Sequence, residues 1–213
     1  MIYDMKNIKP VIIPLGQNCM PRTILTRWGI KKRKIFGELT YPFDFAVFGM
    51  PEITKTLRTD FNEFFDNLEY KTDYWIKAPN CIYFSHDKRY KEKDKQKLIN
   101  LYTKRINNFR KIIEERDNIL FFQILGDSED IENQYNELKN ITKNKPFKLA
   151  IIDTEDITKE INLKNVYILK LKMPNEQYKN NWWKEEYYNS PQGKAFEKQI
   201  ADFCIDVITK KYV

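Results

Sequence analysis

Two residues of the chain combine a type and a setting suited to nucleophilic chemistry, Cys19 and His86. Cys19 lies in "VIIPLGQNCMPRTILTRWGI", residues 11–30, where an apolar, strand-like run passes through Gly16 into a helix-like one. Gly16 permits a tight turn, Asn18 suits a helix N-cap and Pro21 suits a first helical turn, so Cys19 falls at the start of a helix. Unpaired N–H groups and the helix dipole stabilise a thiolate there, and Arg22, about one turn on, adds positive charge. The expectation is a thiol pKa below the ordinary value. The alternative is a small apolar residue buried under the turn.

A cysteine nucleophile needs a base within hydrogen-bond reach, and the base needs an orienting partner. His86 is the only histidine among 213 residues, so any Cys–His pair is Cys19 with His86. It closes the apolar run "CIYFSHD", residues 81–87. Three carboxylates are candidates to orient it. Asp44 stands between Phe43 and Phe45 after Pro42, and an acid in so apolar a setting seeks a partner. Asp87 is next to His86, though on an extended strand its side chain would point the other way. Asp153 ends a strand. Gln17, Asn18 and the first backbone N–H groups of the helix are placed to hold an oxyanion. Arg22 and Arg105 are candidates for substrate binding. Arg105 falls on or beside an apolar helix stripe, where it needs an acid or an anion, or else lays its stem on apolar surface with its head in water. Cys81 opens a strand and Cys204 lies on the apolar side of the last helix, so both read as structural.

These residues must be positioned by the elements around them. Five short apolar runs read as buried strands: 11–16, 81–87, 118–127, 147–154 and 165–172. Helical periodicity is clearest over 94–115, where Leu98, Leu101, Tyr102, Ile106, Phe109 and Ile113 recur, and returns after "GDSED" and over 193–210. Continuous apolar strands alternating with helices predict a single α/β domain over 1–213. It is a three-layer sandwich with a mostly parallel central sheet of about five strands and helices on both faces. An irregular insertion at about 31–80 packs over one end of the sheet. The predicted strands end on polar residues: Gln17-Asn18-Cys19, His86-Asp87, Gly126-Asp127 and Asp153-Thr154. Parallel strands would bring these ends to one rim, where open α/β sheets bind ligands.

Composition narrows the class. Hydrophobic residues at 42% and aromatics at 15% describe a globular domain. No apolar run reaches the ~20 residues of a membrane helix, and the N-terminus lacks the form of a secretory signal, so a cytoplasmic protein is expected. Three cysteines without a CxxC pair and a single histidine give neither a disulfide framework nor a structural zinc site, and no cofactor or metal is expected. The net charge of +7 is carried mostly by lysine, in clusters such as "KKRK" at 31–34 and "KRYKEKDKQK" at 88–97. Both read as solvated loops, and with no recognition motif a nucleic-acid partner is not expected. The aromatic segment 175–196 reads as terminal packing, a lid or a sugar-binding loop.

Four stretches, taken together, resemble a known family. "PLGQNCMPRTIL" is similar to its LGxxC start, "YPFDF" to its PFDW element, "IYFSHD" to its F-x-H-D block and "YTKRINNF" to its Y-x-RR-I-x-RF helix. This poorly characterised microbial and viral family is described as "putative papain-like cysteine peptidases", and the similarity spans about residues 11–125. It implies a cysteine hydrolase with Cys19 and His86 as its pair and Asp44 or Asp87 as third member. Lys104 and Asn108 stand where the family tends to have arginine. The name implies a helical lobe joined to an antiparallel one, whereas the strand–helix alternation predicts an α/β sheet.

Three functions are weighed. The first is a cysteine-dependent hydrolase or acyl transferase acting on a peptide, an amide or an acylated glycan. The second is a glycan- or nucleotide-processing protein binding phosphate or sugar at the same rim, with Cys19 incidental. The third is a non-catalytic binding module.

Overall fold

The computed structural model describes residues 10–78, 82–125, 131–156 and 161–212. The chain begins with β1 (Val11–Pro14) and α1 (Met20–Arg27), followed by α2 (Met50–Arg58) and the strands β2 (Leu68–Lys71), β3 (Tyr74–Lys77) and β4 (Ile82–Tyr83). Then come α3 (Lys95–Glu115), β5 (Ile119–Leu125), α4 (Ile131–Ile141), β6 (Phe147–Asp153) and β7 (Val166–Lys170). The chain closes with α5 (Glu176–Asn181), α6 (Glu185–Tyr188) and α7 (Pro191–Thr209).

The central sheet has the order β1-β5-β6-β7, and every described neighbouring pair is parallel. All seven residues of β5 and of β6 are buried, as strands covered on both faces must be. Alternation sorts their side chains by face. Ile13, Phe121, Leu149 and Ile151 join α3 and α4 in one apolar cluster, while Ile12, Leu120, Phe122, Ala150 and Ile152 join α1 and α7 in another. Lys148 breaks the apolar run of β6, and its Nζ donates to the carbonyls of Val207 at 2.8 Å and Ile208 at 3.0 Å. A cation at a helix C-terminus complements the unpaired carbonyls there. Tyr178 and Trp182 are buried in the second cluster, so these parts of the aromatic segment serve as packing.

The α/β architecture with helices on both faces agrees with expectation, but the central sheet has four strands, and the run at 81–87 is not one of them. Ile82 and Tyr83 pair antiparallel with β3 in a separate three-stranded sheet, β2-β3-β4. The chain then leaves the extended conformation, because the Asp87 N–H bonds the Phe84 carbonyl at 3.0 Å and closes a 3-10 turn over Ser85–Asp87. Phe84 is buried with its ring 4.7 Å from that of Tyr102, which anchors this turn on α3. A short apolar run carries no information about which sheet it joins.

The insertion shares the first cluster with the sheet. Phe43, Phe48, Phe61, Phe64, Phe84, Tyr102 and Phe109 form a connected set of ring contacts at 4.7–6.0 Å. Lys31, read as part of a solvated basic loop, is 3% exposed. Its Nζ donates to the Ile12 carbonyl at 2.8 Å and to Glu38 at 2.7 Å, pinning the start of the insertion to β1.

Candidate functional site

The site begins where β1 ends. The Leu15 N–H bonds the Phe122 carbonyl at 2.7 Å, carrying the parallel pairing one residue past the strand. A Cβ on Gly16 would lie 2.1 Å from the Asn18 carbonyl oxygen, so only glycine makes this turn. Cys19 occupies the N-cap position of α1, with φ −80° and ψ 0°. The Asn18 side chain folds back, its Oδ1 accepting the Met20 N–H at 2.8 Å.

That arrangement corrects the expectation of an acidic thiol. Burial pushes Cys19 up to about 11, outweighing its own backbone N–H and Thr23, which pull the other way. The helix start has little with which to oppose this. Asn18 has taken the Met20 N–H, and Pro21 has none to offer. Cys19 packs half-buried against the apolar cluster under α1. Cys204 is buried, and its thiol is pushed up to about 12 by that burial. Cys81, Gly126 and Asp127 lie outside the described residues.

Residues 45–48 splint the end of β1 to the histidine-bearing turn. The Phe48 N–H bonds the Gln17 carbonyl at 3.0 Å, and Val47 and Tyr83 exchange two backbone hydrogen bonds of 2.9 Å. Ser85, His86 and Asp87 follow directly. Phe45 heads this splint and is the hub of the site. The guanidinium of Arg22 lies 5.1 Å from its ring centroid, that of Arg105 5.2 Å, and the His86 ring 6.0 Å in edge-on contact. Two cations on one ring are held by cation–π attraction and by carboxylates beyond it.

Each arginine has its own carboxylate. Asp44, fully buried, takes a hydrogen bond from Arg22 and another at 2.8 Å from the Tyr41 N–H, both on Oδ2. Its Oδ1 is buried with no hydrogen-bond partner. Burial pushes the Asp44 carboxyl up, opposed by the nearby Lys31 and Arg22. Asp87, turned inward by the 3-10 turn, accepts from the Tyr102 hydroxyl at 3.0 Å and from Arg105 at 3.3 Å. Arg105 is 6% exposed, so its head is not in water; the partner it needed is Asp87. Of the two positions where the chain lacks the family's arginines, Asn108 donates to the Thr40 carbonyl at 3.2 Å, just ahead of Tyr41.

His86 is solvent-exposed beside Phe45, and partial desolvation holds its imidazolium below the usual range, with Asp87 opposing and Arg105 adding to the effect. Among the described residues no hydrogen bond joins His86 to Cys19 or to a carboxylate. Asp44, one of the three candidate orienting carboxylates, bonds Arg22 and the Tyr41 N–H instead. Asp153 ends β6 in the same parallel sheet, its Oδ1 accepting the Glu155 N–H at 3.2 Å in the turn that follows. The structure thus brings Arg22, Asp44, His86, Asp87 and Arg105 together around Phe45, with Cys19 one turn before Arg22 on α1. The sequence reads Phe45 only as a neighbour of Asp44, Tyr102 only as part of a helix stripe and Lys31 only as part of a basic loop; the second ring of "PFDF" is the one local signal for the hub. Among the described residues no three His, Cys, Asp or Glu side chains are grouped as metal ligands would be, and no helix is long and apolar enough to cross a membrane.

A shallow pocket of about 450 Å³ opens beside Phe45, lined by Ser85, His86 and Arg105 among others. Comparison with known proteins matches residues 10–155 to the family described as "Putative papain-like cysteine peptidase (DUF1796)". No curated protein and no solved structure matches the chain. The match spans Cys19, the Phe45 hub, the histidine turn, α3 and the sheet through β6, so the chain belongs to this family of putative papain-like cysteine peptidases.

Proposed function

We propose that the protein is a cysteine-dependent hydrolase or acyl transferase in which Cys19 is the nucleophile and His86 its base. The observation that carries this reading is the splint. Gln17, two residues before Cys19, and Tyr83, three residues before His86, are both hydrogen-bonded to the segment 47–48. The two reactive side chains are therefore borne by neighbouring loops at the end of a parallel sheet, where α/β folds bind ligands. The family match supports the hydrolase class.

In this state the thiol is protonated and stored. A substrate entering between the loops would displace water and let the imidazole approach the sulfur, a tightening expected of catalytic hydrogen bonds on going from the free enzyme to the complex. The neutral imidazole then takes the thiol proton as sulfur attacks the carbonyl carbon. It returns that proton to the leaving group, and water hydrolyses the thioester. The Cys19 N–H, with the Gln17 or Asn18 amide, would hold the developing oxyanion. Arg22 and Arg105 act through Phe45 and their carboxylates to fix the geometry of both loops.

A second reading, glycan or nucleotide processing at the same rim with Cys19 incidental, is favoured by one observation, the raised thiol pKa. Hydrolysis of a panel of activated peptide, amide and acetyl-sugar esters separates them. The cysteine reading expects turnover that disappears in both Cys19→Ala and His86→Ala, each folded as judged by circular dichroism. Turnover that survives Cys19→Ala overturns it.

A further inference from the structure

The pocket beside Phe45 has a chemical bias that the hydrolase reading does not use. It is lined by Lys88, Arg89 and Arg105 against one carboxylate, Asp87. Lys88 is 2.8 Å from Asp73 outside the pocket, and Arg89 reaches Asp87 only at 3.9 Å, with its side chain 65% exposed. Asp87 is already engaged by Tyr102 and Arg105. Arg105 is the deepest of the three cations, 6% exposed, and only its terminal nitrogen meets Asp87; its Nε–H is buried with no acceptor. Arg105 thus lines the pocket as a fixed cation, Lys88 and Arg89 add two exposed ones, and Ser85 adds a hydroxyl at the edge, against a single carboxylate that already has its own partners. Planar forks of this kind select phosphate or carboxylate oxygens.

We propose that this pocket binds an oxyanion, the phosphate or carboxylate group of the substrate. The assignment to a substrate rests on the proposed function; the binding itself does not. An anion seated on Arg105 and Arg89 lies beside the exposed His86 ring and in front of Phe45, so it would anchor a substrate at the base.

The test uses His86, the only histidine in the chain, whose ring C–H signals form a single reporter in a proton NMR spectrum. Inorganic phosphate and acetate are titrated separately into the full-length protein, with ionic strength held constant by chloride. The expected result is a saturable shift of the His86 signals with at least one of the two, and the tighter binder names the oxyanion. Arg89→Ala, at an exposed position that leaves the fold intact, should weaken that binding by about tenfold. Shifts that follow chloride alone, or an affinity unchanged in Arg89→Ala, overturn the proposal. The titration reads binding without catalysis. An oxyanion site in a protein whose Cys19 never acylates keeps this inference and removes the cysteine mechanism, and acylation without a saturable shift does the reverse.

Discussion

Raising the pH across the range of the Cys19 thiol is the perturbation that probes the site's resting chemistry most simply. With a pKa of about 11, only about one molecule in 10⁴ carries a thiolate at pH 7, against about 3% for an ordinary cysteine. A more basic thiolate is also a better nucleophile, which returns roughly tenfold over that pKa difference. Alkylation of Cys19 by iodoacetamide at pH 7 should therefore run some 20 to 30 times slower than that of free cysteine, roughly. The rate should climb about tenfold per pH unit without levelling before pH 10. Peptide mapping after timed quenching assigns the alkylated residue. Cys204, buried and raised further, should stay unlabelled until the protein unfolds. A rate that plateaus below pH 8, or exceeds that of free cysteine at pH 7, would refute the argument that Asn18 and Pro21 leave the helix start short of donors.

Asp44→Asn strips the charge partner from buried Arg22 and should cost about 3 to 5 kcal/mol, read as a fall in Tm of about 10 °C, while Glu63→Gln at the surface changes little. His86 should titrate in NMR with a midpoint below the ordinary 6.5. Because its folded pKa lies below the unfolded one, the unfolded chain binds the proton more readily, and this small contribution to stability is present above pH 6.5 and lost as pH falls. Phe45→Ala removes the ring shared by Arg22, Arg105 and His86, and should cut turnover by about 10²-fold through misplaced groups, with Cys19 alkylation unchanged.

The sheet was legible because burial on both faces leaves a mark that local sequence carries. β5 and β6 are predominantly apolar runs, interrupted within only by Gln123 and Lys148, and the glycine turn and proline after β1 place Cys19 at a helix start. What escaped were facts about pairing over distance. Nothing local in "CIYFSHD" says that Ile82 and Tyr83 pair with β3 in a second sheet, or that the chain turns at Phe84. Arg105 and Asp87 are 18 residues apart, and only the packing of the turn on α3 reveals that each is the other's partner. Lys31 sat in a basic run that resembled solvent-facing sequence, yet its acceptor is a strand carbonyl 19 residues earlier. The thiol departs from the expected acidity for a related reason. The residues that make a good helix start, Asn18 and Pro21, are also those that remove N–H groups from the sulfur's surroundings.

The central claim is that Cys19 becomes covalently acylated through His86, and intact-protein mass spectrometry during turnover of an activated acyl ester tests it most directly. The account predicts a transient adduct of the acyl mass, mapped to Cys19, that forms in the wild-type protein and is suppressed by at least about 10²-fold in His86→Ala. An adduct that forms equally fast without the imidazole, or turnover with no adduct on Cys19 at any quench time, would contradict it.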